Sequence, residues 1–105
     1  MKTRFALIVD DATPAAQDKV TEFLKGKFGY WHYFSDLWLL TTSSESWDVG
    51  TIRDEIEALL GDPAVLVLKV DTPAGGSWSG RGQADMFAWL KRNWREEPAV
   101  PKQSE

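Results

Sequence analysis

Residues 30–42, with the sequence YWHYFSDLWLLTT, decide the fold of this chain. The two halves of the stretch, residues 30–34 and 37–42, consist mostly of aromatic, aliphatic and β-branched side chains, which is typical of β-strands. Ser35 and Asp36 provide the only turn signal between the halves, and they lack the Asn-Gly chemistry of the tightest hairpins. The stretch therefore predicts a β-hairpin, and a bulged or slightly longer turn remains as open as a tight one.

Two continuous apolar runs flank the hairpin in sequence, and each has the pattern of a strand buried on both faces. Apolar residues with helical spacing follow each of these runs and also follow the hairpin. In chain order, the predicted elements are a strand at residues 5–9, a helix that begins at Thr13-Pro14 and ends near Gly26 or Gly29, the hairpin, a helix capped by Thr51 with Asp54 and stopped at residues 61–63, a strand at residues 64–70, a glycine-rich loop at residues 71–82 and a helix at residues 83–94.

The order of these elements predicts an α+β protein. The first six follow the ferredoxin-like βαββαβ arrangement, in which two helices cover one face of an antiparallel four-stranded sheet, and a C-terminal helix comes after them. In that arrangement the first and third strands lie in the middle of the sheet, and the second and fourth lie at its edges. We expect a single domain at residues 1–96 and a polar, disordered tail at residues 97–105.

Both faces of this sheet are expected to carry apolar side chains. Phe5 and Leu7 point to one face and Ala6 and Ile8 to the other, because side chains alternate along a strand. Two helices cover only one face, and contiguous exposed apolar area of more than roughly several hundred Å² is uncommon in monomers. We therefore expect the last helix or a second copy of the chain to cover the other face.

Composition limits the classes of function. The chain of 105 residues has 12 Lys and Arg against 16 Asp and Glu, and this net charge of -4 argues against avid non-specific binding to nucleic acid. It contains no cysteine, which excludes disulfides and thiolate metal sites. The apolar run at residues 5–9 is too short for a signal peptide or a membrane span. We expect a cytoplasmic protein with no membrane partner.

Several segments occur in the same order as in a known group of proteins. They are a strand that ends in aspartate, an aromatic hairpin around a serine (GYWHYFSDLW), a helix that begins IRDEI, an aliphatic strand (VLVLKVD) and the ending WLKRNW. The chain resembles the small subunit of the CRISPR spacer-acquisition complex and its relatives, which include virulence-associated protein D toxins and small bacterial and phage proteins labelled SinR-like. The SinR-like set is the most similar, and the resemblance covers roughly residues 4–94.

The resemblance implies a homodimer of ferredoxin-like protomers. In the better-known members of the group, an aspartate at the end of the first strand lies near the dimer axis, where it can bind Mg²⁺ and support phosphodiester cleavage. Asp10 matches this aspartate, and Asp11 stands beside it. The chain departs from the group in that Lys19 is the only basic residue soon after Asp10, and in that a glycine-rich loop and a helix replace a swapped fifth strand. The residues alone leave two other interpretations open: Asp11 or Thr13 caps the first helix, and Asp10 is a solvated strand end.

The glycine-rich loop and the single histidine are further candidates. The loop at residues 71–82 lacks the lysine of a phosphate-binding loop, but it precedes a helix, so it either binds an anion with the help of Arg81 or connects two elements. His32 is the only histidine of the chain. We expect it to be a packed or hydrogen-bonded residue of the edge strand.

Lys91, Arg92 and Arg95 form the only clustered positive charge in the sequence. They form either a solvated face that complements the C-terminus of the last helix or a contact for phosphate or an acidic partner.

The sequence supports two functional hypotheses of different classes. The first is a Mg²⁺-dependent endonuclease acting on RNA or DNA, in which Asp10 binds the metal and Asp10 and Asp11 are the catalytic residues. The second is a non-catalytic dimeric module that binds another protein. Both hypotheses predict a homodimer.

Overall fold

The computed structural model describes residues 2–61, 63–70, 78–83 and 85–94, which fall into two compact units, Met1–Val70 and Asp71–Glu105. The predicted tail at residues 97–105 lies outside the described residues. In the first unit, the elements are β1 (Thr3–Val9), α1 (Pro14–Leu24), β2 (Gly29–Phe34), β3 (Leu37–Thr42), α2 (Val49–Leu60) and β4 (Val65–Val70), and the second unit contains α3 (Ala88–Asn93).

The four strands form one antiparallel sheet in the order β2-β3-β1-β4. The predicted α+β class, with a four-stranded antiparallel sheet and three helices, is confirmed. β1 is hydrogen-bonded on both sides, since Phe5 is paired with Leu40 of β3 and with Lys69 of β4. β1 is therefore a central strand of the sheet, but only one of its faces is buried and the other is half-buried.

The hairpin formed by β2 and β3 contains an irregularity in its pairing. The pairing is regular up to Trp31 and shifts its register before Phe34. A shift of this kind re-aims the side chains within it. The shifted segment includes His32, whose ring stacks on the buried ring of Trp38. The predicted hairpin is therefore confirmed; its turn consists of Ser35 and Asp36 alone, since Phe34 pairs with Leu37, and the irregularity lies in the strand pairing.

The core of the first unit lies between the sheet and the helices α1 and α2. Along β1, Phe5, Leu7 and Val9 are buried and alternate with half-buried residues. Trp38 is fully buried and donates its indole N–H to Thr21 Oγ1 at 3.3 Å. Burial of each large apolar side chain contributes roughly 1.5–3 kcal/mol, so this layer dominates the stability of the sheet. The buried cluster consists of Phe5, Leu7, Val9, Val20, Leu24, Phe28, Trp38, Leu40, Ile52 and Ile56.

The opposite face of the sheet carries apolar side chains that remain exposed on β4. Leu66 and Leu68 keep 53% and 48% of their surface exposed, whereas Val65 and Val67 pack against the buried cluster. The predicted alternation of apolar side chains between the two faces is confirmed for this strand.

The helix α2 begins three residues earlier than the predicted cap implies. Its N-cap is Asp48, so the predicted cap at Thr51 with Asp54 is wrong. Asp48 Oδ1 accepts the Thr51 N–H at 2.8 Å, and Thr51 Oγ1 accepts the Asp48 N–H at 2.9 Å. The two residues form a capping box, in which Thr51 occupies the third helical position.

The C-terminal helix is shorter than predicted. α3 covers only Ala88–Asn93, so the predicted extent of residues 83–94 is wrong. Residues 85–87 form a turn, and Phe87 at the N-cap has no side-chain oxygen to accept the first helical amides. The apolar spacing of this segment is still used for packing, because Leu90 and Trp94 are buried.

Gly80 lies against the ring of Phe87. A Cβ atom at residue 80 would stand 2.6 Å from the ring, which is inside van der Waals contact. Trp78 also packs on Phe87, with ring centroids 5.7 Å apart. A side chain at residue 80 would therefore displace the ring of Phe87 from its present position.

Candidate functional site

The end of β1 carries two adjacent carboxylates. The Asp10 N–H donates to the Ala64 carbonyl at 3.0 Å, which fixes the end of the strand. Asp10 and Asp11 are both exposed. Within the described part of the chain, neither carboxylate makes a hydrogen bond or an ion pair. Both groups are therefore available to a ligand.

Asp11 has a left-handed backbone conformation, with a φ angle of 56°. Side chains with a Cβ atom rarely adopt this region, although aspartate tolerates it better than most. Asp11 is the only non-glycine residue with positive φ in the ranges that the structure describes. Surrounding contacts must hold such a conformation, because it costs free energy.

Asp36, in the turn between β2 and β3, supplies these contacts. Its carboxylate accepts the Ala12 N–H at 2.9 Å and the Asp11 N–H at 3.3 Å. Its backbone carbonyl accepts the Val9 N–H at 2.9 Å. The hairpin turn therefore holds residues 10–12, which we call the acidic loop. The sequence indicated Asp36 only as a turn residue, although the antiparallel pairing of β1 with β3 places this turn beside the end of β1.

The helix α1 starts directly after the acidic loop. Thr13 Oγ1 accepts the Ala16 N–H at 3.1 Å, and Pro14 occupies the first turn. The interpretation that Thr13 caps this helix is confirmed, and Asp11 is not the cap. The Asp11 carboxylate is therefore not used to start the helix.

Gln17 and His32 hold the acidic loop from the side of α1. Gln17 Nε2 donates to the Ala12 carbonyl at 3.0 Å, and Gln17 Oε1 lies 3.0 Å from Nε2 of His32. On the other side of the ring, His32 Nδ1 lies 2.9 Å from the carbonyl of Leu37. The prediction that His32 is packed and hydrogen-bonded is confirmed. Ala12 is thus bound through its N–H by the hairpin turn and through its carbonyl by α1.

An open groove of about 440 Å³ lies beside the acidic loop. Asp10, Asp11 and Lys19 contribute its charged side chains, and Lys19 is exposed. The groove can therefore receive a ligand that approaches from solvent. Its lining consists of Val9, Asp10, Asp11, Ala12, Thr13, Ala15, Ala16, Lys19, Leu60, Pro63 and Ala64.

The predicted basic candidates belong to the second compact unit. Lys91 and Arg92 are exposed in the last turn of α3, where cations complement the partial negative charge of a helix C-terminus. Arg81 is also exposed. Arg95 and residues 71–77 of the glycine-rich loop lie outside the described residues. Contacts of these side chains with an anion or a partner stay predictions.

The site residues supply oxygen ligands rather than a complete protein cage for a metal. Among the described residues, no three side chains of His, Cys, Asp or Glu come together in a group that could hold a metal ion. Asp10 and Asp11 provide two carboxylates at the groove. In the same described ranges, no helix is both long enough and apolar enough to cross a membrane.

No protein family, no curated protein and no solved structure matches the chain.

Proposed function

We propose that this chain is the protomer of a cytoplasmic, ferredoxin-like homodimer that cleaves RNA or DNA with the help of Mg²⁺, and that Asp10 and Asp11 are its catalytic residues. The observation that carries the proposal is the pair of exposed carboxylates on the acidic loop, which have no partner within the ranges that the structure describes. The loop keeps Asp11 in a left-handed conformation and binds its backbone to Asp36, and among the described residues neither carboxylate has a hydrogen-bond or ion-pair partner. Stored strain of this kind is typical of functional sites.

The chemistry of the two side chains fits Mg²⁺. This ion prefers oxygen ligands and is usually bound by one or two protein carboxylates, waters and substrate phosphates. Asp10 and Asp11 provide that number of carboxylates within one protomer. A bound Mg²⁺ would neutralise phosphate charge and lower the pKa of a water molecule at the scissile bond.

The chain's own side chains divide the remaining tasks. Asp10, at the end of the strand, would hold the cation, and an oxygen of the Asp11 carboxylate would accept a proton from the attacking water. Lys19 lines the same groove and would attract a phosphate oxygen, which offsets the repulsion between two carboxylates and a polyanion. Because the chain has a net charge of -4, affinity for nucleic acid depends on this groove rather than on the overall field.

The sheet supports the proposed topology and the proposed pairing of two chains. The strand order β2-β3-β1-β4 agrees with a ferredoxin-like sheet. Leu66 and Leu68 present exposed apolar surface on the face opposite α1 and α2. Stable interfaces bury about 800 Å² on each partner, so these two side chains would form part of a larger contact.

The experiment is a cleavage assay of the wild type and Asp10→Asn on RNA and on DNA, with Mg²⁺ and with Mn²⁺. Asp18→Asn is the matched control, because Asp18 is another exposed carboxylate and the change in charge is the same. We expect metal-dependent cleavage by the wild type and by Asp18→Asn, and a loss of about 100-fold or more in Asp10→Asn. An inert wild type, or an equally active Asp10→Asn, would contradict the proposal.

A second candidate is a non-catalytic dimeric module that binds another protein, and the exposure of Leu66 and Leu68 favours it. Its test compares proteins recovered from native lysate by the wild type and by the double variant Leu66→Asp, Leu68→Asp. A protein retained by the wild type and lost by the variant supports this candidate. Recovery of nothing above background, together with an active wild type in the cleavage assay, excludes it.

A further inference from the structure

β4 is an edge strand of the sheet, and in the part of the chain that the structure describes only one of its edges is paired. Its partner there is β1, and the pairing is regular from Val65 to Val70. Natural proteins usually protect edge strands with charges, proline or irregular pairing. β2, at the other edge, has a shift in its register, whereas β4 contains no proline and one charged residue, Lys69. The outer edge of β4 is therefore able to pair with a further strand.

The register with β1 decides which backbone groups of β4 face outward. The Asp10 N–H donates to the Ala64 carbonyl, so Ala64 is hydrogen-bonded to the end of β1. Bonded and non-bonded residues alternate along an antiparallel pair, so the even-numbered residues of β4 bond to β1 as well. The N–H and carbonyl groups of Val65, Val67 and Lys69 therefore point away from β1. Within the described ranges, no hydrogen bond uses these outward groups.

We propose that β4 pairs antiparallel with β4 of a second copy of this chain, with the two-fold axis at Val67. In this register Val65 exchanges two hydrogen bonds with Lys69 of the other protomer, and the two Val67 residues exchange two with each other. Every outward group of β4 then has a partner. The next register in either direction would leave one of the three outward residues without a partner in the other β4 strand. The two four-stranded sheets become one continuous sheet.

The side chains of β4 suit the same register. Leu66 of one protomer stands opposite Leu68 of the other in a non-hydrogen-bonded pair, whose Cα atoms lie about 4.5 Å apart. The leucines that are exposed in the single chain thus cover one another across the axis. Lys69 stands opposite Val65, so the two Lys69 ammonium groups do not face each other. Backbone groups and side chains are both self-complementary about Val67, and this selects a second copy rather than an unrelated strand.

The pairing specifies the homodimer of the proposed function, and its consequence for the acidic loop rests on that function. Ala64 binds the Asp10 N–H and so marks the position of the loop along β4. In the proposed register the two Ala64 residues stand at opposite ends of the paired strands, about 20 Å apart at a rise of roughly 3.3 Å per residue. Each groove would therefore hold its own cation, and no cation would be shared at the two-fold axis.

Cysteine cross-linking tests the register in the full chain, which has no cysteine of its own. Leu66→Cys and Leu68→Cys are prepared separately, mixed while reduced so that subunits exchange, and then oxidised. We expect about tenfold more covalent dimer in the mixture than in either variant alone. Opposite residues lie about 4.5 Å apart, within the range of a disulfide, whereas identical residues lie diagonally, about 7–8 Å apart. No covalent dimer in the mixture, or as much in either variant alone, would overturn the proposal.

A proline variant tests the outward hydrogen bonds. Lys69→Pro removes an outward N–H at an exposed position and takes no bond from β1, whereas the matched control Lys69→Ala keeps that N–H. Sedimentation over a range of concentrations should show a dimer for the wild type and for Lys69→Ala, and a dissociation constant raised about tenfold or more for Lys69→Pro. A monomeric wild type, or unchanged association of Lys69→Pro, would contradict the proposal. A cross-linked dimer that fails to cleave nucleic acid would remove the proposed catalysis alone, and an active dimer without the cross-link would remove the edge pairing alone.

Discussion

Replacing Asp36 by alanine removes the carboxylate that holds the acidic loop. The variant loses one short, partly buried hydrogen bond to the Ala12 N–H at 2.9 Å and one longer, exposed bond to the Asp11 N–H at 3.3 Å. Hydrogen bonds to charged groups contribute about 1.5–3 kcal/mol each, and the longer exposed bond adds little. We therefore expect the free energy of unfolding to fall by about 2 kcal/mol, which corresponds to a melting temperature lower by roughly 10 °C.

The assay is urea unfolding followed by circular dichroism, combined with hydrogen exchange at the Ala12 amide. Asp36→Asn retains an oxygen for Ala12 and should lose only about half as much stability. Ser35→Ala is the control in the same turn, since Ser35 is exposed and its hydroxyl lies 3.5 Å from Asp36 Oδ1. If Asp36→Ala unfolds within about 0.5 kcal/mol of the wild type, the usual range for exposed substitutions, then Asp36 does not hold the loop.

Three further predictions concern the acidic loop, the second unit and the cap of α2. Asp11→Gly should raise the free energy of unfolding by up to about 1 kcal/mol and Asp11→Ala should lower it by about 1 kcal/mol, because only glycine adopts the left-handed conformation of residue 11 without a clash. Equal urea midpoints for the two variants would contradict this prediction. Gly80→Ala should destabilise the second unit by about 1–3 kcal/mol, because the added methyl group overlaps the ring of Phe87. The measurement is hydrogen exchange in α3, which should become faster. Unchanged exchange would show that the ring does not occupy that space. Hydrogen bonds from the backbone and the side chain of Thr51 lower the pKa of Asp48. The contribution of this carboxylate to the free energy of unfolding is therefore complete above the ordinary aspartate pKa and is lost as the pH falls through the lowered value. The melting temperature of Asp48→Asn should depend less on acid pH than that of the wild type, and identical acid profiles would refute the role of the cap.

Local patterns in the sequence account for most of the sheet. β1 and β4 were predicted from continuous apolar runs, and the alternation of Phe5, Leu7 and Val9 with half-buried neighbours follows from the period of a strand. The start of α1 was predicted from Thr13-Pro14, because both residue types have a direct physical role at a helix start.

The predicted start of α2 is wrong because two residues near it both carry a helix-cap signal. Asp48 and Thr51 are both residue types found at helix caps, and their spacing of three lets each accept the backbone N–H of the other. The extent of α3 was overestimated because apolar residues with helical spacing, such as Met86 and Phe87, can also lie in a turn.

The candidate site was predicted only in part, because its supporting contacts are long-range. The sequence drew attention to Asp10 and Asp11, and the groove places Lys19 beside them. The contact of Asp36 with Ala12 joins residues 24 apart in the sequence, and the contact of His32 with Gln17 joins residues 15 apart. No local pattern marks such pairs, since they depend on the final position of the hairpin turn next to α1.

The most direct test of the acidic loop as a cation site is a titration of the isotope-labelled protein with Mn²⁺, followed by amide NMR. The ion broadens signals close to its binding site, so the account predicts selective broadening at Asp10, Asp11 and Ala12, with the effect abolished in Asp10→Asn. Broadening that is absent, or that is equally strong at the exposed acids of α2 and survives in Asp10→Asn, would contradict it.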